Sequence, residues 1–179
     1  MDEIKLNVFI TDLKAYDNGG LIGKWFDART ELPEIIEYAE KLGHWFITDH
    51  ESDLFYINEN TSIEEIDELT DLLTDFHYSE DVAQSVKEWT YYNEDIENII
   101  GDDAIIIVDS SDGILNENEA LGLREYEAVI EPNIVGGQVE DITLRYFDTE
   151  SFGRDLILNG DYSYIGKDEN SDHIFIINY

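Results

Sequence analysis

Carboxylates are the side chains of this sequence with the clearest capacity for chemistry, and their spacing is most regular just after Ser62. Glu64, Glu68, Asp71 and Asp75 follow one another at intervals of four, three and four residues, which places them on one face of an α-helix. At a rise of about 1.5 Å per residue, neighbouring carboxylates stand roughly 4.5 to 6 Å apart along the axis, close to the phosphate spacing of a nucleic-acid strand. This row can bind cationic groups as phosphates do.

The same acidic bias continues through the middle of the chain, where only Lys87 and Arg124 oppose it. An acidic row on a single helix is ordinarily a solvated face, but a bias that spans several consecutive elements favours a function. We predict that these carboxylates, called the acidic set below, contact a partner: Glu64, Glu65, Glu68, Asp71, Asp75, Glu80, Asp81, Glu88, Glu94, Asp95, Glu97, Asp102, Asp103, Asp109, Asp112, Glu117, Glu119, Glu125 and Glu127.

The net charge identifies the kind of partner. The 179 residues include 43 Asp and Glu against 10 Lys and Arg, a formal charge of −33. Nucleic acid and anionic membranes are excluded as direct partners, because both would add like-charge repulsion. At about one charge per 1.7 Å of duplex, this charge corresponds to roughly 56 Å of B-DNA, or about 16 base pairs. A folded acidic protein of this kind can stand in for DNA on a cationic surface.

Motifs for nucleotide and nucleophile chemistry are incomplete. Gly23-Lys24 is followed by Trp25 instead of Ser or Thr, and Asn18 stands where a phosphate-binding loop begins with glycine. There is no cysteine, which excludes disulfides and thiolate metal sites. No G-x-S-x-G motif occurs. The four histidines lack metal-ligand spacing: His44, His50, His77 and His173.

Two loops approach a calcium-binding pattern without completing it. The loop that contains Asp112 has Val108 at the first position, where an EF-hand requires aspartate. Asp168, Asn170 and Asp172 alternate, but His173 follows where glycine is needed. We therefore expect no metal, no cofactor and no enzymatic activity.

Hydrophobic patterning around these residues predicts an α+β fold in three regions. The amino-terminal region, residues 1–61, combines a small antiparallel sheet with a helix. We expect two strands that form a hairpin, then a helix between two caps, then a third strand: Lys5–Asp12, Leu21–Asp27, Thr30 to Gly43, and His44–Asp49.

The central region, residues 62–102, is predicted to be helical, and it begins with a capping box of Ser62 and Glu65. Further helices are expected to open at Ser79 and Asn93. The carboxy-terminal region, residues 103–179, returns to α+β. It is expected to contain a strand, two helices separated by a Gly136-Gly137 loop, and a closing hairpin: Ala104–Val108, Glu117–Ile130 ended by Pro132, Asp141–Leu158, and the segments GDYSYIG and HIFIINY.

Several sequence blocks resemble the ArdA antirestriction family. VFITDLKAYDNGGLIGKWFD, residues 8–27, is similar to the family's amino-terminal signature with its Gly-x-Trp element. Similar blocks follow in the same order: FITDHES, INENTSIEEIDEL, FGRDLILNGDY and IFIINY. Within the signature we expect turn and packing roles, without partner contacts, for Tyr16, Gly19, Gly23 and Trp25.

The resemblance implies an elongated, curved homodimer of three small subdomains, joined through the carboxy-terminal part, whose acidic face copies the phosphates of bent DNA. It implies binding to the methyltransferase core of Type I restriction-modification enzymes, in the DNA groove, and inhibition of cleavage and methylation. No individual residue is carried over as catalytic. The chain departs from the family pattern over residues 113–150, where the antirestriction motif and dimer contacts are expected.

Three other classes of function fit parts of the pattern. An acidic binding partner or chaperone of basic nucleoid-type proteins would show the same charge. Adaptation to high salt also enriches acids, although the abundant isoleucine and aromatic residues favour ordinary core burial. A hydrolase with two carboxylates would require a defined pocket. The acidic start MDEIKLNVFITD and the lack of a long apolar run predict a cytoplasmic protein with no membrane contact.

Overall fold

The computed structural model describes residues 4–93, 96–111, 113–133 and 145–178. Within them the chain contains seven α-helices and two three-stranded antiparallel sheets, which confirms the predicted α+β class. The chain divides into two units, residues 1–101 and 102–179. The additional boundary between residues 61 and 62 stays a prediction. In the described segments, no helix combines the length and apolarity needed to span a bilayer.

The first sheet has the strand order β2-β1-β3, with both pairs antiparallel. The predicted hairpin is confirmed, since Val8 pairs with Phe26, and the predicted third strand pairs on the other side of β1. The connection between the two hairpin strands also contains a short helix. It is too short for hydrophobic periodicity to predict it. The elements are β1 (Leu6–Asp12), α1 (Leu13–Asp17), β2 (Gly23–Asp27), α2 (Ala28–Leu42) and β3 (Trp45–Ser52).

The two faces of this sheet differ in what covers them. Leu6, Val8 and Ile10 alternate along β1 and are fully buried, on the side where α2 contacts the strand through its own buried face. The opposite face carries Phe9 and, at the paired position of β2, Trp25. Alternation of side chains along each strand thus separates a buried hydrophobic core from an aromatic face.

Helix α2 begins earlier than its sequence suggests. Thr30 was the expected N-cap, but this is wrong: the cap is Asp27, whose Oδ1 accepts a hydrogen bond from the Arg29 backbone N–H at 3.1 Å. The backbone leaves helical geometry at Glu31 (φ −117°, ψ 21°), two residues before Pro33, whose ring disturbs the preceding turn. At the other end Gly43 adopts φ 70° as the predicted C-cap.

Three helices complete the first unit. The predicted capping box is confirmed at α3, where Ser62 Oγ accepts from the Glu65 N–H at 3.1 Å and Glu65 Oε2 accepts from the Ser62 N–H at 2.6 Å. Helix α4 follows Ser79 as predicted, and Asn93, the expected start of the next helix, is its last residue. The helices are α3 (Ile63–Asp75), α4 (Glu80–Asn93) and α5 (Ile96–Gly101).

The second unit packs helices on a sheet of order β4-β6-β5. Its core contains Val108, Ala120, Leu121 and Phe175, all buried. The predicted closing hairpin is confirmed by the antiparallel pairing of the last two strands. The elements are β4 (Ile105–Val108), α6 (Glu117–Glu125), a π-helical turn (Tyr126–Ile130), a 3-10 turn (Glu131–Asn133), α7 (Thr149–Leu158), β5 (Tyr162–Lys167) and β6 (His173–Ile177).

Helices α6 and α7 cross at two glycines. A Cβ atom on Gly122 would overlap the backbone carbonyl of Thr149, and one on Gly153 would overlap that of Asn118. The second predicted helix of this unit is interrupted, because Asp148 has non-helical dihedrals and caps α7. The expected start at residue 141 and the Gly136-Gly137 loop lie outside the described residues.

Candidate functional site

Helix α3 presents the row of carboxylates that its spacing predicts. Ile66 and Leu73 anchor the helix on the core side, and both are buried. The acidic residues on the remaining surface are all exposed: Glu64, Glu65, Asp67, Glu68, Asp71 and Asp75. In the described part of the chain, no lysine or arginine forms a salt bridge with any of them. The row is therefore a surface of uncompensated negative charge.

The two ends of α3 place their acids in opposite electrostatic environments. Glu64 and Glu65 lie in the first turn, where the helix dipole favours negative charge. The backbone N–H of Ser62, followed by its hydroxyl, lowers the pKa of Glu65. Asp75 is the last residue of the helix, and its last turn has no basic residue, so the dipole opposes this charge. Helix stability explains the first pair but not Asp75.

The other members of the acidic set vary in exposure. Several lie in the first turn of an α-helix, where they also have a local stabilising role: Glu80, Asp81, Glu97, Glu117 and Glu119. Glu80, Asp81, Glu117 and Glu119 are half-buried, while the exposed members beyond α3 are Glu88, Glu97, Asp102, Asp103, Asp109 and Glu127. Asp109 also accepts a hydrogen bond from the Ser111 N–H.

Four members differ from this description. Glu125 is only 7% exposed and forms an ion pair with Arg124, so its carboxylate adds nothing to the exposed surface. The acidic pattern of the sequence could not separate it from its neighbours, because burial depends on how α6 packs. Glu94, Asp95 and Asp112 lie outside the described residues.

Several of the few cations are held away from these carboxylates. Lys87 Nζ donates to the backbone carbonyl of Ser52 and lies 5.3 Å from the ring centroid of Tyr56. Burial lowers the pKa of Lys87, and the charge of Asp53 partly offsets this. Arg29 pairs with Asp27 at 3.1 Å, within the cap of α2. These local contacts leave the α3 row unneutralised.

An open groove on the aromatic face of the first sheet was not predicted. It has a volume of about 620 Å³. Its side chains, which define the aromatic groove below, are Phe9, Tyr16, Leu21, Trp25, Phe46, Ile47, Thr48, Asp49, His50, Ile57, Asn58 and Glu59. Tyr16 and Trp25 were expected to have packing roles, but packing covers only part of their side chains: they are 52% and 41% exposed. The signal available in the sequence was strand alternation, which places Phe9 and Trp25 on the face opposite Phe26.

The loops that approach a calcium pattern use their carboxylates to fix the backbone. Asp168 Oδ1 accepts from the Asn170 N–H at 2.9 Å and from the Asp172 N–H at 2.8 Å. Asp172 Oδ1 accepts from the Ser110 N–H at 2.9 Å. Among the residues with described positions, no group of three or more His, Asp or Glu side chains could hold a metal ion.

The comparisons with known proteins bear on the whole chain. A family model described as "Antirestriction protein (ArdA)" matches residues 8–168. No curated protein matches the sequence. The matched span includes most of β1, all of α3 and β4, and the crossing of α6 with α7. Because the match extends over nearly the entire sequence, the chain belongs to the ArdA family of antirestriction proteins, inhibitors that act on restriction enzymes.

Proposed function

We propose that this protein is a DNA mimic that binds the DNA groove of a Type I restriction-modification enzyme. The expected contact is the methyltransferase core, where occupation of the groove would inhibit cleavage and also methylation. Inhibition then needs no catalysis and no cofactor. The carboxylates of the acidic set other than Glu125 take the positions of phosphates, and lysine and arginine side chains of the enzyme bind them.

The observation that supports this proposal most is the uncompensated row on α3. Like charges at these spacings each cost a few tenths of a kcal/mol, and Asp75 adds an unfavourable dipole interaction. No cation in the described segments relieves them. A cationic partner would convert this cost into binding energy, and it would bind faster through electrostatic steering.

We further propose that the protein acts as a cytoplasmic homodimer. The second unit exposes large apolar side chains that a partner surface could cover, including Ile114 (81%) and Leu158 (74%). Light scattering should give twice the mass of one chain at micromolar concentration. A monomer at that concentration would contradict this part of the proposal.

Cleavage protection tests the mimicry directly. Purified Type I enzyme, unmodified target DNA and increasing protein should give dose-dependent protection. The test variant removes four α3 charges: Glu64→Gln, Glu68→Gln, Asp71→Asn and Asp75→Asn. The matched control removes four exposed charges elsewhere in the first unit: Asp17→Asn, Glu34→Gln, Glu37→Gln and Glu40→Gln.

The two variants have equal net charge, so their difference isolates the position of the carboxylates. We expect the α3 variant to require about tenfold more protein for half-protection, and the control variant to change little. Equal losses would mean that net charge alone acts, as expected of a general acidic partner of basic proteins. Recovery of basic nucleoid proteins without restriction subunits in a pull-down would support that alternative.

A further inference from the structure

We propose that the aromatic groove binds arginine side chains of a protein partner. This site is separate from the α3 row, and it would add ring stacking to the attraction between charges. It rests on the proposed function only for the identity of the partner, which we take to be the restriction enzyme. The chemical argument depends on the first unit alone.

The rings of the groove are arranged in two edge-to-face pairs. Phe9 and Trp25 pair across β1 and β2 with centroids 5.4 Å apart and planes at 64°. Tyr16 and Phe46 are 5.0 Å apart with planes at 75°. In an edge-to-face pair one ring uses its edge, which leaves the π face of a ring available to another group. The groove therefore has ring faces that a flat cation could cover.

The groove exposes large apolar side chains that folding would ordinarily bury. Leu21 is 66% exposed, and Tyr16 and Trp25 are about half-exposed. Scattered apolar residues on a surface need no explanation, but adjacent ones around a concave surface are typical of interaction sites. A volume of about 620 Å³ is within the usual range of ligand sites, roughly 300 to 1,000 Å³. It can accept more than one side chain.

The charges at the groove specify a cation. Asp49 and Glu59 line it and are exposed, and no lysine or arginine is among the described lining residues. A second depression of about 300 Å³ also contacts Trp25 and is lined by Asp27, Glu31 and Glu51. Asp27 already pairs with Arg29, and Glu31 with Lys24. A cation stacked on the Trp25 ring would therefore lie in the same groove as the carboxylates of Asp49 and Glu59.

Arginine fits these features better than lysine. Its guanidinium group is planar, stacks on aromatic rings and donates two parallel hydrogen bonds to a carboxylate. Lysine is a compact, strongly hydrated charge without a flat face. A nucleobase could also stack on the rings, but its phosphates would be repelled by Asp49 and Glu59.

Two lysines of the protein already make cation–π contacts with its aromatic rings. Lys24 Nζ lies 4.2 Å from the ring centroid of Phe26, and Lys87 Nζ lies 5.3 Å from that of Tyr56. Both distances are within the range of about 6 Å for cation–π attraction. Aromatic surfaces of the first unit therefore attract cations even where no partner is involved.

A peptide titration of the full, isotope-labelled chain tests the site. The probe is acetyl-Arg-Leu-Arg-amide, and its analogues replace both arginines by lysine or by neutral norleucine. NMR should show saturable shifts at the Trp25 indole N–H and at the amides of β1–β3. We expect about tenfold weaker binding of the lysine peptide and no saturable shift with the norleucine peptide.

Variants separate the rings from the charges. Trp25→Leu should abolish the saturable shifts in β1–β3, with folding checked by circular dichroism. Asp49→Asn with Glu59→Gln keeps every ring and should weaken binding about tenfold. The control is Tyr91→Leu, which removes an exposed ring outside the groove and should leave binding unchanged.

The proposal would be overturned by equal binding of the norleucine peptide, or by arginine-dependent shifts confined to α3. Unchanged binding after the Asp49 and Glu59 substitutions would do the same. The titration contains no restriction enzyme, so its failure would leave the proposed antirestriction mechanism intact. Conversely, failure of cleavage protection with intact peptide binding would contradict that mechanism and the identity of the partner, but not the arginine site.

Discussion

The carboxylates of this protein differ in their hydrogen bonds, burial and ion pairing. Glu65 and Asp148 accept hydrogen bonds at the starts of helices, and the pKa of each is lowered for that reason. Glu125 is buried beside Arg124. Asp75 is exposed at the end of α3, whose last turn has no basic residue. Folding does not require the charge of a residue such as Asp75.

Neutralisation of Asp75 should therefore stabilise the protein. Asp75→Asn removes a charge from the negative end of the helix dipole, and we expect a gain of about 0.3 to 1 kcal/mol at low salt. The matched control Glu64→Gln removes a charge from the favourable end and should cost a few tenths of a kcal/mol. Urea unfolding measures both. A loss of stability in Asp75→Asn would mean that its carboxylate has a structural role.

Asp148 makes stability depend on pH in a defined direction. The Ser151 backbone N–H at 2.9 Å, and then the Ser151 hydroxyl at 2.8 Å, hold the pKa of Asp148 below its ordinary value. A lowered folded-state pKa gives stability that is present above the ordinary aspartate pKa of about 3.9 and is lost as pH falls through the folded value.

The Asp148→Asn variant tests this dependence against the rest of the chain. Protonation of the many other carboxylates changes both proteins alike, so only the difference between their urea midpoints matters. The urea midpoint of the unsubstituted protein should be higher than that of the variant at pH 6, and the difference should shrink towards pH 3. A constant difference across that range would show that the charge of Asp148 contributes nothing.

At the scale of elements, α3 supplies the carboxylates and α6–α7 supply a tight crossing. The crossing depends on two glycines, since side chains there would overlap backbone carbonyls. Such overlaps force helices apart, because a packed interior has little free volume. The helix pair and the sheet beneath it should accordingly respond together to changes at this contact.

Substitution of Gly122 measures how tight this crossing is. Gly122→Ala should destabilise the second unit by about 1 to 3 kcal/mol, despite the higher helix propensity of alanine. Gly101→Ala is the matched control, since nothing lies within 4 Å of its added Cβ. Thermal unfolding followed by circular dichroism compares the two. Equal melting temperatures would show that the helices adjust without cost.

The elements most accurately predicted are those with local signals. The capping box of Ser62 and Glu65 lies within four consecutive residues, so its hydrogen bonds could be predicted from the sequence. The start of α2 could not, because Asp27 and Thr30 are both good caps and the choice depends on the sheet that precedes them. The aromatic groove was missed for a similar reason: alternation assigns Phe9 and Trp25 to one face but does not tell which face a helix covers.

The whole molecule combines 43 acidic residues with only 10 basic ones. If partner binding is distributed over many carboxylates, each one contributes little. Glu68→Gln alone should change half-protection in a cleavage assay by less than about threefold, while successive substitutions should weaken protection gradually. A single substitution that abolishes protection would indicate a localised site instead of a distributed surface.

The most direct test of the central claim is a competition between this protein and DNA for a Type I enzyme. Binding of the labelled protein to the enzyme is titrated at several fixed concentrations of a duplex that contains the recognition site. Mimicry predicts that the apparent Kd rises in proportion to duplex concentration, and that binding weakens steeply as salt increases. An apparent Kd unaffected by saturating duplex would contradict the account, because the protein and DNA would then occupy different sites.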